Sequence, residues 1–398
     1  MVGTRTDWPL SGPDVRGWEI FMPPLTLLIK PASGSCNLRC KYCFYADESE
    51  KRSCAHFGCM SQETMRVLAD KALAYADRDC TFAFQGGEPT LAGLDFFRGI
   101  TAYLGAHPNP KRVRIHYTFQ TNGILLDEAW AKWFAENHVL VGISLDGPKQ
   151  IHDQYRVDQA GKGTFHRVMG AIRLLKKYGV EYNILTVVTA ASARNSQQVY
   201  HFFKKNGMPY QQYIECLDPL DEMPGQHAYS LTPERYETFL KNLFDAWYLD
   251  LQAGTYVYNR YFENLLLMMN GQCAESCNLR GSCNPQWVFE ADGSVYPCDF
   301  YVLDEWRLGN ILEDSFQDLE NRKRRREFAA SSEKIPEECM ECRWFALCRN
   351  GCRRNRKGGE GHSSGKNYFC ASYRNFLEYA YPRLLEIYRM RSVGWRCC

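Results

Sequence analysis

The chain has 398 residues, of which 45% are hydrophobic, and it carries 48 basic and 46 acidic side chains. This length and composition predict a large folded domain with a smaller one and exclude a mainly disordered chain. The net charge of +2 gives no general reason to bind nucleic acid or an anionic membrane. No apolar run reaches the roughly 20 residues that span a bilayer, and the N-terminus lacks a secretion-signal pattern. We therefore expect a cytoplasmic monomer that binds neither nucleic acid nor membrane.

Short β-rich runs alternate with amphipathic segments through the first half of the chain. Residues 1–24 lack periodicity and predict a loose N-terminal arm. From residue 25 to 230 the alternation predicts βα units around a parallel sheet, arranged as a partial, TIM-like (β/α)6 barrel. The predicted strands begin near residues 25, 81, 112, 139, 182 and 210, with helices at 61–77, 94–106, 127–137, 164–178 and 195–206.

After residue 230 this alternation stops. Thr232 and Pro233 are a suitable N-cap and first helical residue, so a helix is predicted to begin there. The basic run at 322–327 predicts a solvated helix face. Three segments are predicted after the barrel: a bridging helical segment at 231–269, a cysteine-rich domain at 270–372, and a C-terminal helix and tail at 373–398.

Eighteen cysteines are an unusual number for a protein of a reducing compartment, so metal or redox chemistry is a better expectation than disulfides. Cys36, Cys40 and Cys43 form a C-x3-C-x2-C loop directly after the first strand. Three thiolates can hold three irons of a [4Fe–4S] cube and leave the fourth iron open to another ligand. Zinc is the alternative, but structural zinc takes four ligands and no fourth lies at a suitable spacing. Cys80 and Cys216 lie on or beside predicted strands and are expected to be small core residues.

The C-terminal third holds a second set of cysteines whose number suits two further cubes, each with four ligands. A zinc ribbon remains an alternative there, because Cys339 and Cys342 have the spacing of zinc ligands. The set consists of Cys277, Cys283, Cys298, Cys339, Cys342, Cys348, Cys352 and Cys370.

A Gly-Gly-Glu sequence, within FQGGEPT at 84–90, ends the second predicted strand. Gly86 and Gly87 allow a ligand to approach the backbone closely, and the Glu88 carboxylate can accept hydrogen bonds from an ammonium group. With the cysteine loop, this motif resembles the radical S-adenosylmethionine (SAM) superfamily. The C-terminal cysteines resemble its SPASM subgroup. The stretches VGISLDGP, ECLDPL and DGSVYPCDFYVLDEWRLGNI are most similar to the anaerobic sulfatase-maturating enzymes.

The resemblance implies three [4Fe–4S] clusters and a SAM site. Cys36, Cys40 and Cys43 would hold the first cluster. It further implies one auxiliary cluster on Cys277, Cys283, Cys298 and Cys352, and another on Cys339, Cys342, Cys348 and Cys370. SAM contacts are implied at Tyr42, Gly87, Glu88, Ser144, Arg156 and Leu217. Tyr45 and Gln85 are implied near the substrate, where they could equally be packing residues, and Asp299 is implied as the general base.

The implied reaction oxidises a Cys or Ser of an unfolded sulfatase polypeptide, within a Cys/Ser-x-Pro-x-Arg motif, to Cα-formylglycine. A 5′-deoxyadenosyl radical would remove a Cβ hydrogen, Asp299 would take a proton, and an auxiliary cluster would accept an electron. A flavodoxin or ferredoxin is the implied electron donor. Two alternatives stay open: a related enzyme that makes thioether or carbon–carbon crosslinks in a ribosomal peptide, and a zinc-ribbon interaction protein.

Overall fold

The computed structural model describes residues 24–356 and 365–395. The predicted N-terminal arm, apart from its last residue, lies outside this range. In the described part the strands form one ten-stranded sheet of order β10-β9-β8-β1-β2-β3-β4-β5-β6-β7. The strands are β1 Leu25–Ile29, β2 Asp79–Phe84, β3 Arg114–Thr121, β4 Leu140–Ser144, β5 Tyr182–Val188, β6 Tyr210–Glu215, β7 Tyr258–Asn259, β8 Trp287–Phe289, β9 Ser294–Tyr296 and β10 Gly309–Asn310.

Strands β1 to β6 pair in parallel and in chain order, so the predicted partial barrel is confirmed. Alternate residues of β1 (Leu25, Leu27 and Ile29) are buried, as expected for a strand with one face on the helical layer. Because all six strands point the same way, the loops that follow them meet at one edge of the sheet. That edge carries the cysteine loop, the Gly-Gly-Glu sequence and the residues after β4 and β6.

Amphipathic helices cover the sheet, and the five predicted within the barrel are present. The helix that Thr232 was expected to cap begins at Pro233, and the Thr232 side chain accepts from the Arg235 backbone N–H. The helices are α1 Phe44–Glu50, α2 Gln62–Tyr75, α3 Leu94–Ala106, α4 Glu128–Glu136, α5 Lys149–Tyr155, α6 Phe165–Lys177, α7 Ala190–Arg194, α8 Ser196–Lys205, α9 Pro233–Gln252, α10 Arg260–Met269, α11 Phe316–Glu320, α12 Lys323–Glu333, α13 Glu337–Met340, α14 Phe345–Cys348 and α15 Cys370–Trp395.

The cysteine-rich region continues the barrel sheet. Strand β8 pairs in parallel with β1, and the Lys30 backbone N–H donates to the Phe289 carbonyl at 2.8 Å. Strands β9 and β10 extend this edge in antiparallel fashion. After the predicted boundary at residue 270, the chain therefore returns to the β1 edge of the barrel sheet. This return brings Cys298 and Asp299 close to the loop after β1.

Three smaller expectations can be compared with the structure. Cys80 and Cys216 are buried, which confirms them as core residues. The expectation of a solvated face at 322–327 is wrong for Arg325, which is buried with its guanidinium 4.0 Å from the Trp287 ring centroid and donates to the Pro285 and Gln286 carbonyls. No helix of the described residues is long and apolar enough to cross a membrane.

Candidate active site

The three cysteines after β1 lie together on one loop. The Leu38 backbone N–H donates to Cys36 Sγ at 3.4 Å, and the Cys43 N–H donates to the Cys40 carbonyl at 3.1 Å. Burial raises the pKa of Cys36 to about 12 and that of Cys40 to about 11, and the negative charge of neighbouring thiolates adds to both shifts. Three half-buried thiolates on one short loop need cations beside them, which suits a site for several iron ions.

Helix α1 begins immediately after Cys43, a feature that the sequence did not predict. Burial raises the pKa of the Cys43 thiol, while the nearby backbone N–H groups of Ala46 and Tyr45 act to lower this pKa. Unpaired N–H groups at a helix start stabilise negative charge. The start of α1 therefore favours Cys43 as a thiolate ligand.

The Gly-Gly-Glu turn packs directly against the cysteine loop. The Gly87 backbone N–H donates to the Ser33 carbonyl at 3.0 Å, and the Glu88 N–H donates to the Ser35 carbonyl at 2.8 Å. A Cβ atom on Gly87 would lie 2.0 Å from the Ser35 carbonyl oxygen. Glycine is therefore required at this position by the close approach of two backbone segments.

Glu88 is fully buried and joins the ends of β2 and β3. Its carboxylate accepts from the Thr90 backbone N–H and hydroxyl, from the Thr121 hydroxyl, and from the Asn122 N–H. These four hydrogen bonds show that Glu88 holds the segments after β2 and β3 together. Its predicted contact with the SAM amino group stays a prediction.

Tyr42 and Arg156 are brought together by Asp146, which the sequence analysis did not single out. Asp146 accepts from the Tyr42 hydroxyl and, at 2.9 Å, from Arg156 Nε, and the guanidinium lies 5.4 Å from the Tyr42 ring centroid. All three side chains are buried. Asp146 lies two residues after the end of β4. A polar residue at the end of a parallel strand is a signal that could have identified it.

Asp146→Asn should lower the stability of the protein, because the substitution removes the buried negative charge that pairs with Arg156. We expect the free energy of unfolding to fall by about 3 kcal/mol, as measured by urea unfolding. Asp95→Asn is the matched control, since the exposed pair between Asp95 and Arg98 is expected to contribute less than about 1 kcal/mol. Equal effects of the two substitutions would contradict this assignment.

Asp299 lies opposite the cysteine loop. Its Oδ2 accepts from the Tyr45 hydroxyl at 2.6 Å and from Gln85 Nε2 at 2.7 Å, while its Oδ1 is buried without a hydrogen-bond partner among the described residues. Burial raises the pKa of Asp299, against the lowering effect of the Lys30 charge and of the bonds from Tyr45 and Gln85. The carboxylate is thus fixed through one oxygen, and the other oxygen is available to take a proton.

Buried charges surround Asp299. Lys30 Nζ lies 4.6 Å from the Tyr45 ring centroid and 3.4 Å from Glu290 Oε1, and Glu290 also pairs with Arg52 at 2.6 Å. Burial, together with the charge of Asp299, raises the pKa of Glu48 to about 8. The sequence analysis missed this network because its members come from α1 and from the segments that follow β1, α1 and β8.

The eight C-terminal cysteines fall into two groups in space. The charges of Cys277, Cys283 and Cys352 act on Cys298, and those of Cys339, Cys342 and Cys370 act on Cys348. These are the two sets that the family resemblance implied. Among the described residues, no three Cys, His, Asp or Glu side chains converge where one metal ion could bind.

Two buried arginines, which the sequence analysis also missed, lie beside the first of these groups. Arg356 donates to the carbonyls of Ser332, Gly281 and Gly351. Arg353 donates to the Phe328 carbonyl. These bonds hold the cysteine-rich chain close to the two guanidinium groups. Their positive charge would stabilise thiolates or an anionic cluster.

One cavity of about 460 Å³ joins these parts. Its wall includes every residue that was predicted to contact SAM or substrate, the proposed base and seven of the predicted cluster ligands. The second auxiliary group is not on this wall. The residues concerned are Tyr42, Gly87, Glu88, Ser144, Arg156, Leu217, Tyr45, Gln85, Asp299, Cys36, Cys40, Cys43, Cys277, Cys283, Cys298 and Cys352.

Comparisons with known proteins agree with this architecture. A model of the Radical SAM superfamily matches residues 31–191, and a model of the SPASM iron–sulfur cluster-binding domain matches residues 282–343. A cysteine-type anaerobic sulfatase-maturating enzyme of Clostridium perfringens is 50% identical over 92% of this chain and 99% of its own. A serine-type anaerobic sulfatase-maturating enzyme of Bacteroides thetaiotaomicron is 30% identical over 91% of each chain. The solved structure of native anSMEcpe with bound AdoMet and Cp18Cys peptide superimposes with a TM-score of 0.88, at 48% identity over 92% of this chain and 99% of that one.

The barrel, the cysteine loop and the cysteine-rich extension define a radical SAM enzyme with an iron–sulfur domain, of the oxidoreductase type. Within that class, the chain belongs to the anaerobic sulfatase-maturating enzyme family.

Proposed function

We propose that this protein oxidises a cysteine of an unfolded sulfatase polypeptide to Cα-formylglycine, with SAM and three [4Fe–4S] clusters. The observation that carries the proposal is Asp299. Its carboxylate is held by Tyr45 and Gln85 on the wall of a cavity that also contains the cysteine loop. The cysteine type is supported by the 50% identity to a cysteine-type relative, against 30% to a serine-type one.

The residues present fit these cofactors. Cys36, Cys40 and Cys43 would leave one iron of the first cluster open to SAM. The buried pair of Arg156 and Asp146 would give that site a fixed shape, and Gly87 lets the Gly-Gly-Glu turn pack against the cysteine loop. When bound, SAM and the clusters supply the radical that removes a Cβ hydrogen and accept the electron released afterwards.

The chain's own contribution is to position the substrate and remove a proton. The orphan Oδ1 of Asp299 would accept the thiol proton, while Tyr45 and Gln85 keep Oδ2 in place. Loss of one hydrogen atom, one proton and one electron converts the substrate CH2–SH group into a thioaldehyde. Water then replaces sulfur to give the aldehyde, with release of hydrogen sulfide.

The second auxiliary group, formed by Cys339, Cys342, Cys348 and Cys370, would pass the electron onward to a carrier protein of the flavodoxin or ferredoxin class. The group lies away from the cavity wall, and Cys342, Cys348 and Cys370 are half-buried. This is the placement expected of a cluster that exchanges electrons with a partner.

Anaerobic reconstitution with SAM and a reductant tests the proposal. Mass spectrometry should show aldehyde on a peptide with Cys-x-Pro-x-Arg, and less or none on the matched serine peptide. Deoxyadenosine without any change in either peptide would retain the radical SAM assignment and would favour peptide crosslinking instead. An iron-free protein that binds zinc would overturn the proposal.

A further inference from the structure

The loop after β6, residues 217–230, begins at Leu217 on the cavity wall. The Asp218 side chain connects the start of this loop to later residues of it. The Asp218 carboxylate accepts from the Gly225 backbone N–H at 2.8 Å and from the Ser230 hydroxyl at 2.5 Å. These two bonds join the start of the loop to its middle and end. The position of Leu217 therefore depends on what holds the Asp218 segment.

One attachment comes from α1, the helix that follows the cysteine loop, and from its C-cap residue Lys51. Asp47 Oδ2 accepts from the Leu220 backbone N–H at 2.9 Å. Lys51 Nζ lies 3.2 Å from Asp47 Oδ1 and 2.8 Å from Asp221 Oδ2. The radical SAM helix thus binds the segment through one backbone bond and one bridging cation.

The other attachment comes from the cysteine-rich domain. Arg354 Nη2 donates to the Asp218 carbonyl at 2.8 Å and lies 3.8 Å from Asp47 Oδ2. The Arg354 side chain is only 10% exposed, so water competes little for these contacts. Its backbone N–H donates to Cys352 Sγ at 3.4 Å. One residue therefore contacts both a predicted cluster ligand and the loop that carries Leu217.

From this double contact, we infer that Arg354 is a positioning residue. Through Arg354, SAM binding depends on how well ordered the loop around Cys352 is. The inference rests on the proposed function for the roles of Leu217 and Cys352. A guanidinium that donates to a buried carbonyl holds it strongly, and the Asp47 carboxylate pairs with the same nitrogen, Arg354 Nη2. Coupling of this kind is reciprocal, so bound SAM should also order the loop around Cys352.

Calorimetric titration of SAM into the anaerobic, cluster-loaded protein tests the coupling. Arg354→Ala should bind SAM about tenfold more weakly, with the iron content and visible spectrum of the unsubstituted protein. Arg354→Lys should recover part of the affinity, because an ammonium keeps the positive charge and a donor. The matched control is Arg343→Ala, since this exposed arginine also adjoins a predicted ligand, Cys342, but pairs with Glu378. The control should bind SAM normally.

Asp47→Asn separates the coupling from simple damage to the cluster loop, because Asp47 lies on α1. This variant should also weaken SAM binding, and the double variant with Arg354→Ala should lose less affinity than the two single effects combined. Unchanged affinity in both single variants, or fully additive losses, would overturn the inference. Failure of the proposed function looks different: the unsubstituted protein would bind SAM but form no aldehyde, while the effect of Arg354→Ala on SAM binding remained.

Discussion

Asp299→Asn should still cleave SAM but should form aldehyde at least about a hundredfold more slowly. The amide nearly matches the carboxylate in size and can still accept hydrogen bonds from Tyr45 and Gln85. It cannot take the thiol proton at neutral pH, and a positioned base contributes about a hundredfold or more to the rate. Deoxyadenosine and peptide aldehyde, measured in the same anaerobic reaction, separate these two steps.

Asp304→Asn is the matched control for this experiment. Asp304 is exposed on the same segment and accepts from the Ser53 backbone N–H, away from the cavity. We expect its aldehyde yield to match that of the unsubstituted protein. Full aldehyde formation by Asp299→Asn would remove Asp299 from the reaction and leave it as a support for Tyr45 and Gln85.

The local patterns in the sequence predicted the barrel well. Each of the six strands is a short β-rich run, and each intervening helix has its own apolar face, so both can be recognised from neighbouring residues alone. The cysteine loop and the Gly-Gly-Glu turn were recognisable for the same reason. Their chemistry lies within a few consecutive residues that follow a strand.

Features that depend on distant contacts were not predictable in this way. Strand β8 has three residues, and its pairing with β1 joins positions about 260 residues apart in sequence. Asp146 gained its importance only when folding placed it between Tyr42 and Arg156. Arg354 resembles its neighbours Arg353 and Arg356 in sequence, and only the structure shows that it is the one that reaches Asp218.

The same reasoning explains the error at Arg325. A basic run predicts exposure because charges are costly to bury. Folding places the Arg325 guanidinium over Trp287 and against two backbone carbonyls, which replace its contacts with water. The other residues of the run are exposed, as expected.

Gly87→Ala should disable the enzyme at an earlier stage than Asp299→Asn. The added Cβ would lie 2.0 Å from the Ser35 carbonyl oxygen and 2.6 Å from the Gly34 carbonyl carbon, both of them backbone atoms that cannot rotate away. Either the turn or the cysteine loop must move, and Cys36 directly follows Ser35. We expect deoxyadenosine formation to fall at least about a hundredfold, since small displacements of reacting groups have effects of this size.

The matched control is Gly105→Ala near the end of α3, where a Cβ would meet no atom within 4 Å. Alanine favours the helix there, so stability should rise by about 0.5 to 1 kcal/mol with unchanged SAM cleavage.

Iron analysis of Gly87→Ala then locates the damage. Loss of iron would mean that the cysteine loop has moved to relieve the clash, so that its cysteines no longer hold the cluster. Full iron content with weak SAM binding would mean that the turn itself has moved. Normal SAM cleavage would show that the two backbone segments need not be as close as the structure places them.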